Sequence, residues 1–84
     1  MPLAYKSRAN AFFVLKRYDD ALTDLHMAIE EGYPGPLKYQ IYRQMGECYK
    51  CQEKFKRARV SSQVALKLLE EQILKLETTE LKHG

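Results

Sequence analysis

Tryptophan is absent from this chain, and backbone breakers are scarce: four glycines and three prolines among 84 residues. That poverty excludes a low-complexity or loop-dominated polypeptide. The two cysteines, Cys48 and Cys51, are too few for the disulfide framework of a small secreted domain. Their usage fits a reducing compartment, cytoplasmic or nuclear. No apolar run approaches the ~20 residues of a membrane span, and Met1-Pro2-Leu3-Ala4-Tyr5-Lys6 is not built like a signal peptide. Neither sign of charge dominates. Fourteen basic and eleven acidic residues are interspersed along the chain and leave +3, a balance that argues for neither nucleic acid nor a membrane as partner.

What is there is a folded, soluble composition, 45% hydrophobic and 30% charged. A chain this short buries only about 60% of its unfolded surface, so it forms one small domain with a thin stability margin. Three of the seven breakers, Gly32, Pro34 and Gly35, stand together with Pro36 just behind them. One strong break therefore sits near the middle of an otherwise continuous chain.

On either side of that break the sequence repeats. A shift of 37 positions lays Tyr5 on Tyr42, Ala9 on Gly46, Phe12 on Tyr49, Tyr18 on Phe55, Ala21 on Ala58, Ala28 on Ala65 and Ile29 on Leu66. Within each copy the spacing is helical, so each copy reads as two helices. The small residues let those helices approach and the aromatics fill the space beside them. Glycine in mid-helix costs ~1 kcal/mol against alanine, which marks Gly46 as a point of close contact. The expected map has helices over about 3–16, 19–31, 37–52 and from 56 onward, with a turn at Gly32–Pro36. Asp19 and Asp20 suit the dipole at the start of the second helix. Pro36 suits the start of the third.

The words within the copies are specific. The second reads Tyr42-x-x-Met45-Gly46-x-x-Tyr49, then Phe55-x-x-Ala58 and Ala65-Leu66; the first reads Tyr5-x-x-Arg8-Ala9-x-x-Phe12, then Tyr18-Asp19-Asp20-Ala21 and Ala28-Ile29. This pattern resembles the tetratricopeptide repeat. Arg8 replaces the usual leucine, Ser62 stands where a large apolar residue is customary, and Pro34 comes one residue late. The resemblance implies an all-α fold of two helical hairpins in a right-handed superhelix, one domain over 1–84. Repeat 1 covers about 2–35, repeat 2 about 37–71, and a long C-terminal helix runs to about 81. Leu66, Leu69, Ile73 and Leu76, widened by Leu68, Leu74 and Leu81, give that helix an apolar stripe that either caps the array or forms a coiled-coil seam. Glu71 and Lys75 form an i,i+4 pair. Thr78, Thr79 and Gly84 point to a frayed tail. Because such arrays need about three units and capped ends, and Leu3, Phe13 and Val14 face nothing, the chain is expected to be a segment of a longer protein.

The run from Ser7 through Cys48, with its glycine-tyrosine-proline break at Gly32-Tyr33-Pro34, resembles more narrowly the tetratricopeptide segment of SET and MYND domain-containing protein-lysine methyltransferases. That resemblance, over about residues 4–70, implies a parent that transfers methyl groups from S-adenosylmethionine to lysine. No catalytic residue of such a parent stands in this chain, and no cofactor is expected to bind it. A pair of zinc sites would need about eight cysteine and histidine ligands.

As a scaffold the chain is expected to bind a protein or peptide, on an inner face lined by Lys6, Asn10, Phe13, Arg43, Glu47 and Lys50. Packing on a catalytic domain of the same chain is the other role the resemblance allows. Lys6 and Asn10, one turn apart, match by position the lysine and asparagine with which co-chaperone tetratricopeptide domains grip a C-terminal carboxylate. Gln40 and Gln44 stand where further basic residues are wanted, and Glu47 opposes a carboxylate. Solvated face and partial clamp both stay open. Cys48-x-x-Cys51 invites a zinc or redox reading, but His26 and His83 lie elsewhere in the chain. A buried thiol at Cys48 that packs as a small hydrophobe is the simpler expectation, with His26 and Met27 at a helix surface.

Overall fold

The computed structural model describes residues 1–83, and the side chains of residues 1–75. Four α-helices follow one another: α1 Pro2–Val14, α2 Tyr18–Glu30, α3 Lys38–Cys51 and α4 Phe55–His83. No strand occurs among the described residues. Helix α1 packs on α2, α3 on α4, and α2 joins the two pairs through α3. The body measures 49 × 29 × 18 Å, and its thinnest dimension matches two layers of helices packed about 10 Å apart.

The repetition is written in the backbone. Helix α1 stops where the Arg17 amide donates to the Phe12 carbonyl (2.8 Å) and the Lys16 amide to Phe13 (3.0 Å). Helix α3 stops where the Lys54 amide donates to Tyr49 (2.8 Å) and the Glu53 amide to Lys50 (3.0 Å). Each donor and each acceptor lies 37 positions from its counterpart. Both stops are Schellman turns, which need a left-handed residue just beyond the helix. Lys16 (φ 62°) and Glu53 (φ 60°) supply it, as Gly32 (φ 85°) does after α2. This is why α1 ends at Val14 rather than near residue 16: the stop consumes Leu15 and Lys16.

The break at the middle differs from expectation in one respect. Pro36 does not open α3. It lies inside a single 3-10 turn, Gly35–Leu37, closed by the Leu37 amide on the Pro34 carbonyl (2.9 Å). A proline is tolerated there because the first amides of a turn have no internal partner.

The core lies between the layers. Ala9, Ala21, Leu25, Ala28, Ile41 and Cys48 are fully buried, with Leu22, Tyr33 and Met45 nearly so. On α2 the steps of four and three from Ala21 to Leu25 to Ala28 keep these residues on one face. Tyr5, Phe12, Phe13, Tyr18, Tyr42 and Tyr49 close over them, half-buried. Phe13, expected at an uncovered end, instead meets Tyr18 edge-on with ring centroids 5.6 Å apart. Leu3 and Val14 do remain exposed.

Gly46 is the close contact it was expected to be. A β-carbon built on it would stand 2.9 Å from Ser62 Oγ and 3.4 Å from the Ala58 carbonyl oxygen. Helix α4 is tied at its middle by Gln72, whose amide donates to the Pro36 carbonyl (2.6 Å). On its apolar stripe Leu66, Ile73 and Leu74 are exposed while Leu68 and Leu69 are half-buried. The side chains of Leu76 and Leu81, and the whole of Gly84, lie outside the described residues; the fraying expected at Thr78 and Thr79 is not found, because the backbone of α4 continues helical to His83. No helix among the described residues is long and apolar enough to cross a membrane.

Candidate functional site

Five of the six expected site residues meet. Lys6, Asn10 and Phe13 from α1 and Arg43 and Glu47 from α3 line one open cavity of about 290 Å³, together with Gln40 and Gln44. The 37-residue offset explains the convergence, because Lys6 and Arg43 occupy equivalent positions of the two first helices, as do Asn10 and Glu47. Lys50 does not join them: it is exposed in the last turn of α3 and does not line this cavity.

Inside the cavity the polar groups are organised. Lys6 donates from Nζ to Asn10 Oδ1 (3.3 Å). Gln44 donates to the same oxygen across the helix pair. Asn10 Oδ1 is thus an acceptor shared by both hairpins. The other end of the Gln44 amide, Oε1, is buried without a partner, and an unpaired buried acceptor of this kind costs on the order of 1–3 kcal/mol. Burial, and then the Arg43 guanidinium, hold Lys6 below the usual lysine range. An apolar wall (Phe13), two cations (Lys6, Arg43), amides able to donate and accept, and one opposing carboxylate (Glu47) make a surface suited to a peptide with mixed polarity.

Sequence reasoning missed the most buried charge among the described residues. Asp24 is 2% exposed and accepts two hydrogen bonds from Arg8, Nε to Oδ2 and Nη2 to Oδ1, both 2.7 Å. The guanidinium lies over Tyr5 and Phe12, 5.8 and 5.9 Å from their centroids, and the carboxylate raises its pKa. Arg8 was visible as the misfit in the repeat. The signal for its partner was available too: Met45 and Ser61 hold the equivalent positions in the second hairpin, so Arg8 and Asp24 depart from the pattern together.

Cys48 is fully buried and Cys51 exposed. Burial, then the neighbouring Cys51 and Glu47, push the Cys48 thiol up to about 11. A thiol so protonated packs and does not react. Among the described residues no group of three or more histidine, cysteine, aspartate or glutamate side chains could hold a metal, and His26 is exposed on α2. No family model matches the chain, and neither a curated protein nor a solved structure matches it.

Proposed function

We infer that this chain is a protein-interaction module of tetratricopeptide type, the repeat part of a SET and MYND-type lysine methyltransferase, which seats a peptide in the cavity between α1 and α3. The observation that carries the reading is the convergence of Lys6 and Arg43 beside Phe13 and Asn10 in one cavity. Two helical hairpins related by a fixed offset support it, since such offsets line equivalent side chains along one face.

A second reading is favoured by the Lys6–Asn10 hydrogen bond, in which the cavity grips a C-terminal carboxylate as co-chaperone domains do. Lys6 is depressed by burial and by Arg43, so an anion seated there draws it back up. Binding of that kind takes up protons at alkaline pH and weakens as pH rises through the lowered Lys6 range. Glu47 on the rim works against it.

The experiment is titration calorimetry with peptides selected from a random library, each as free acid and as amide. Arg43→Ala is expected to weaken binding on the order of tenfold, and Lys50→Ala to leave it near wild type. Preference for the free acid selects the carboxylate grip. If no selected peptide responds to Arg43→Ala, the cavity is not the binding site; if no peptide is selected at all, packing within a longer chain is the better reading.

A further inference from the structure

A second cavity, of about 280 Å³, lies at the start of α4 and shares no residue with the first. It is lined by Tyr49, Lys56, Arg57, Val60 and Ser61. Comparison with the same place in the first hairpin shows what is unusual about it. There the equivalent residues are Phe12, Asp19, Asp20, Thr23 and Asp24, and the place is neutralised from within. Arg8 pairs with Asp24 and Arg17 with Asp20, both at 2.7 Å, and Arg17 covers the Phe12 ring at 4.9 Å.

In the second hairpin every acid of that arrangement is gone. Asp19, Asp20 and Asp24 become Lys56, Arg57 and Ser61, while Arg8 and Arg17 become Met45 and Lys54. Two cations with three acids are thus replaced by three cations and no acid. The cations also sit in the opening turns of a 29-residue helix, where the helix dipole favours negative charge. α4 carries no acidic residue in its first turn, whereas α2 carries two. Arg57, at the position of Asp20, lies 6.0 Å from the Tyr49 centroid, so a cation again faces the ring while no acid lines the cavity. A separate observation points the same way. Ser61 is 7% exposed and lines the cavity. The neighbouring acid of the turn, Glu53, does not line the cavity. Val60, 58% exposed, supplies an apolar border.

We propose that the Tyr49–Lys56–Arg57–Ser61 cavity is a second docking site, which takes a side-chain carboxylate from an acidic segment of a partner protein, with an adjoining apolar residue seated on Val60. The incoming carboxylate supplies the charge that Asp20 and Asp24 supply in the first hairpin. It accepts from Arg57 and Ser61, while Lys56 neutralises its flanking acids.

The test is fluorescence anisotropy with a labelled Glu-Glu-Leu-Glu peptide, amidated so that it offers no terminal carboxylate to the Lys6 cavity. The same measurement uses its glutamine counterpart. The peptide is expected to bind, the counterpart to bind on the order of tenfold more weakly, and Lys56→Glu with Arg57→Glu to abolish the difference. Met45→Arg with Ser61→Asp, which rebuilds the internal pair of the first hairpin, is expected to occupy the cavity and block binding while circular dichroism stays helical. Lys16→Glu with Lys67→Glu changes the net charge by the same amount elsewhere and is expected to change affinity less than about threefold. Equal loss in that control, equal binding of the glutamine peptide, or undiminished binding by either cavity variant overturns the proposal. Tighter binding of a single-stranded RNA or of anionic vesicles overturns the assignment to an acidic peptide.

Discussion

The Arg8–Asp24 pair can be dissected because the protein contains its own control. In the second hairpin the same two positions hold Met45 and Ser61, 4% and 7% exposed, and the helices pack without an ion pair. Replacing Arg8 alone by methionine strands a carboxylate whose side chain is 3% exposed. Breaking a fully buried pair costs about 3–5 kcal/mol. Arg8 itself is 61% exposed, so water reaches one side of the pair and the cost falls to about 2–3 kcal/mol. Replacing Asp24 alone by serine leaves a guanidinium that can turn to water, at about 1–2 kcal/mol. Replacing both copies the second hairpin and should cost about 1 kcal/mol or less, because neither charge is left buried. Urea unfolding followed by circular dichroism measures all three, with an unchanged m-value as the check on two-state behaviour. For a domain this size each kcal/mol moves the Tm by roughly 4–8 °C. Strict additivity of the single effects, or an Asp24→Ser variant less stable than Arg8→Met, would refute the reasoning.

Other outcomes follow from single features. Lys16→Gly and Glu53→Gly remove left-handed β-carbons at φ 62° and 60° and should each stabilise by about 0.5–1 kcal/mol in thermal melts; a loss at both positions contradicts the Schellman assignment. Gly46→Ala drives a methyl against Ser62 Oγ. It should be less favourable in the wild type than in a Ser62→Ala background, where the helix-propensity gain of about 1 kcal/mol is freed. With a thiol reagent at neutral pH, Cys51 should react in the native protein and Cys48 only after unfolding. The folded Cys48 thiol lies at about 11 against an ordinary 9.0. Its contribution to stability is therefore full below about pH 9 and is lost as pH rises toward 11; the difference between wild type and Cys48→Ala across that range isolates it.

The helices and their pairing were legible because the repeat displays them twice. Ala9, Ala21, Ala28 and Gly46 mark close contacts, and all four are buried. Tyr18 and Phe55 show where that legibility ends. They match in sequence, yet one is half-buried beside α3 and the other 64% exposed, because α2 has a third helix against it and the start of α4 has none among the described residues. The Lys6 cavity was legible on the same ground, since Lys6 with Arg43 and Asn10 with Glu47 share repeat positions. Lys50 shares its repeat position with Phe13 yet does not line that cavity, so the shared position alone did not place it. The Arg8–Asp24 pair escaped notice because a departure from a repeat pattern reads as tolerance until its partner is found sixteen residues away. The cationic cavity at α4 is visible only by difference, when the acids of the first hairpin are laid over the bases of the second.

The most direct measurement is an amide chemical-shift map of the whole chain during titration with a peptide selected from a random library. Binding in the cavity between α1 and α3 requires the largest perturbations at Lys6, Asn10, Phe13, Arg43 and Gln44, with Lys50 and the exposed stripe at Leu66 and Ile73 unmoved. Perturbations centred on that stripe, or on the outer face at Leu3 and Val14, would contradict it.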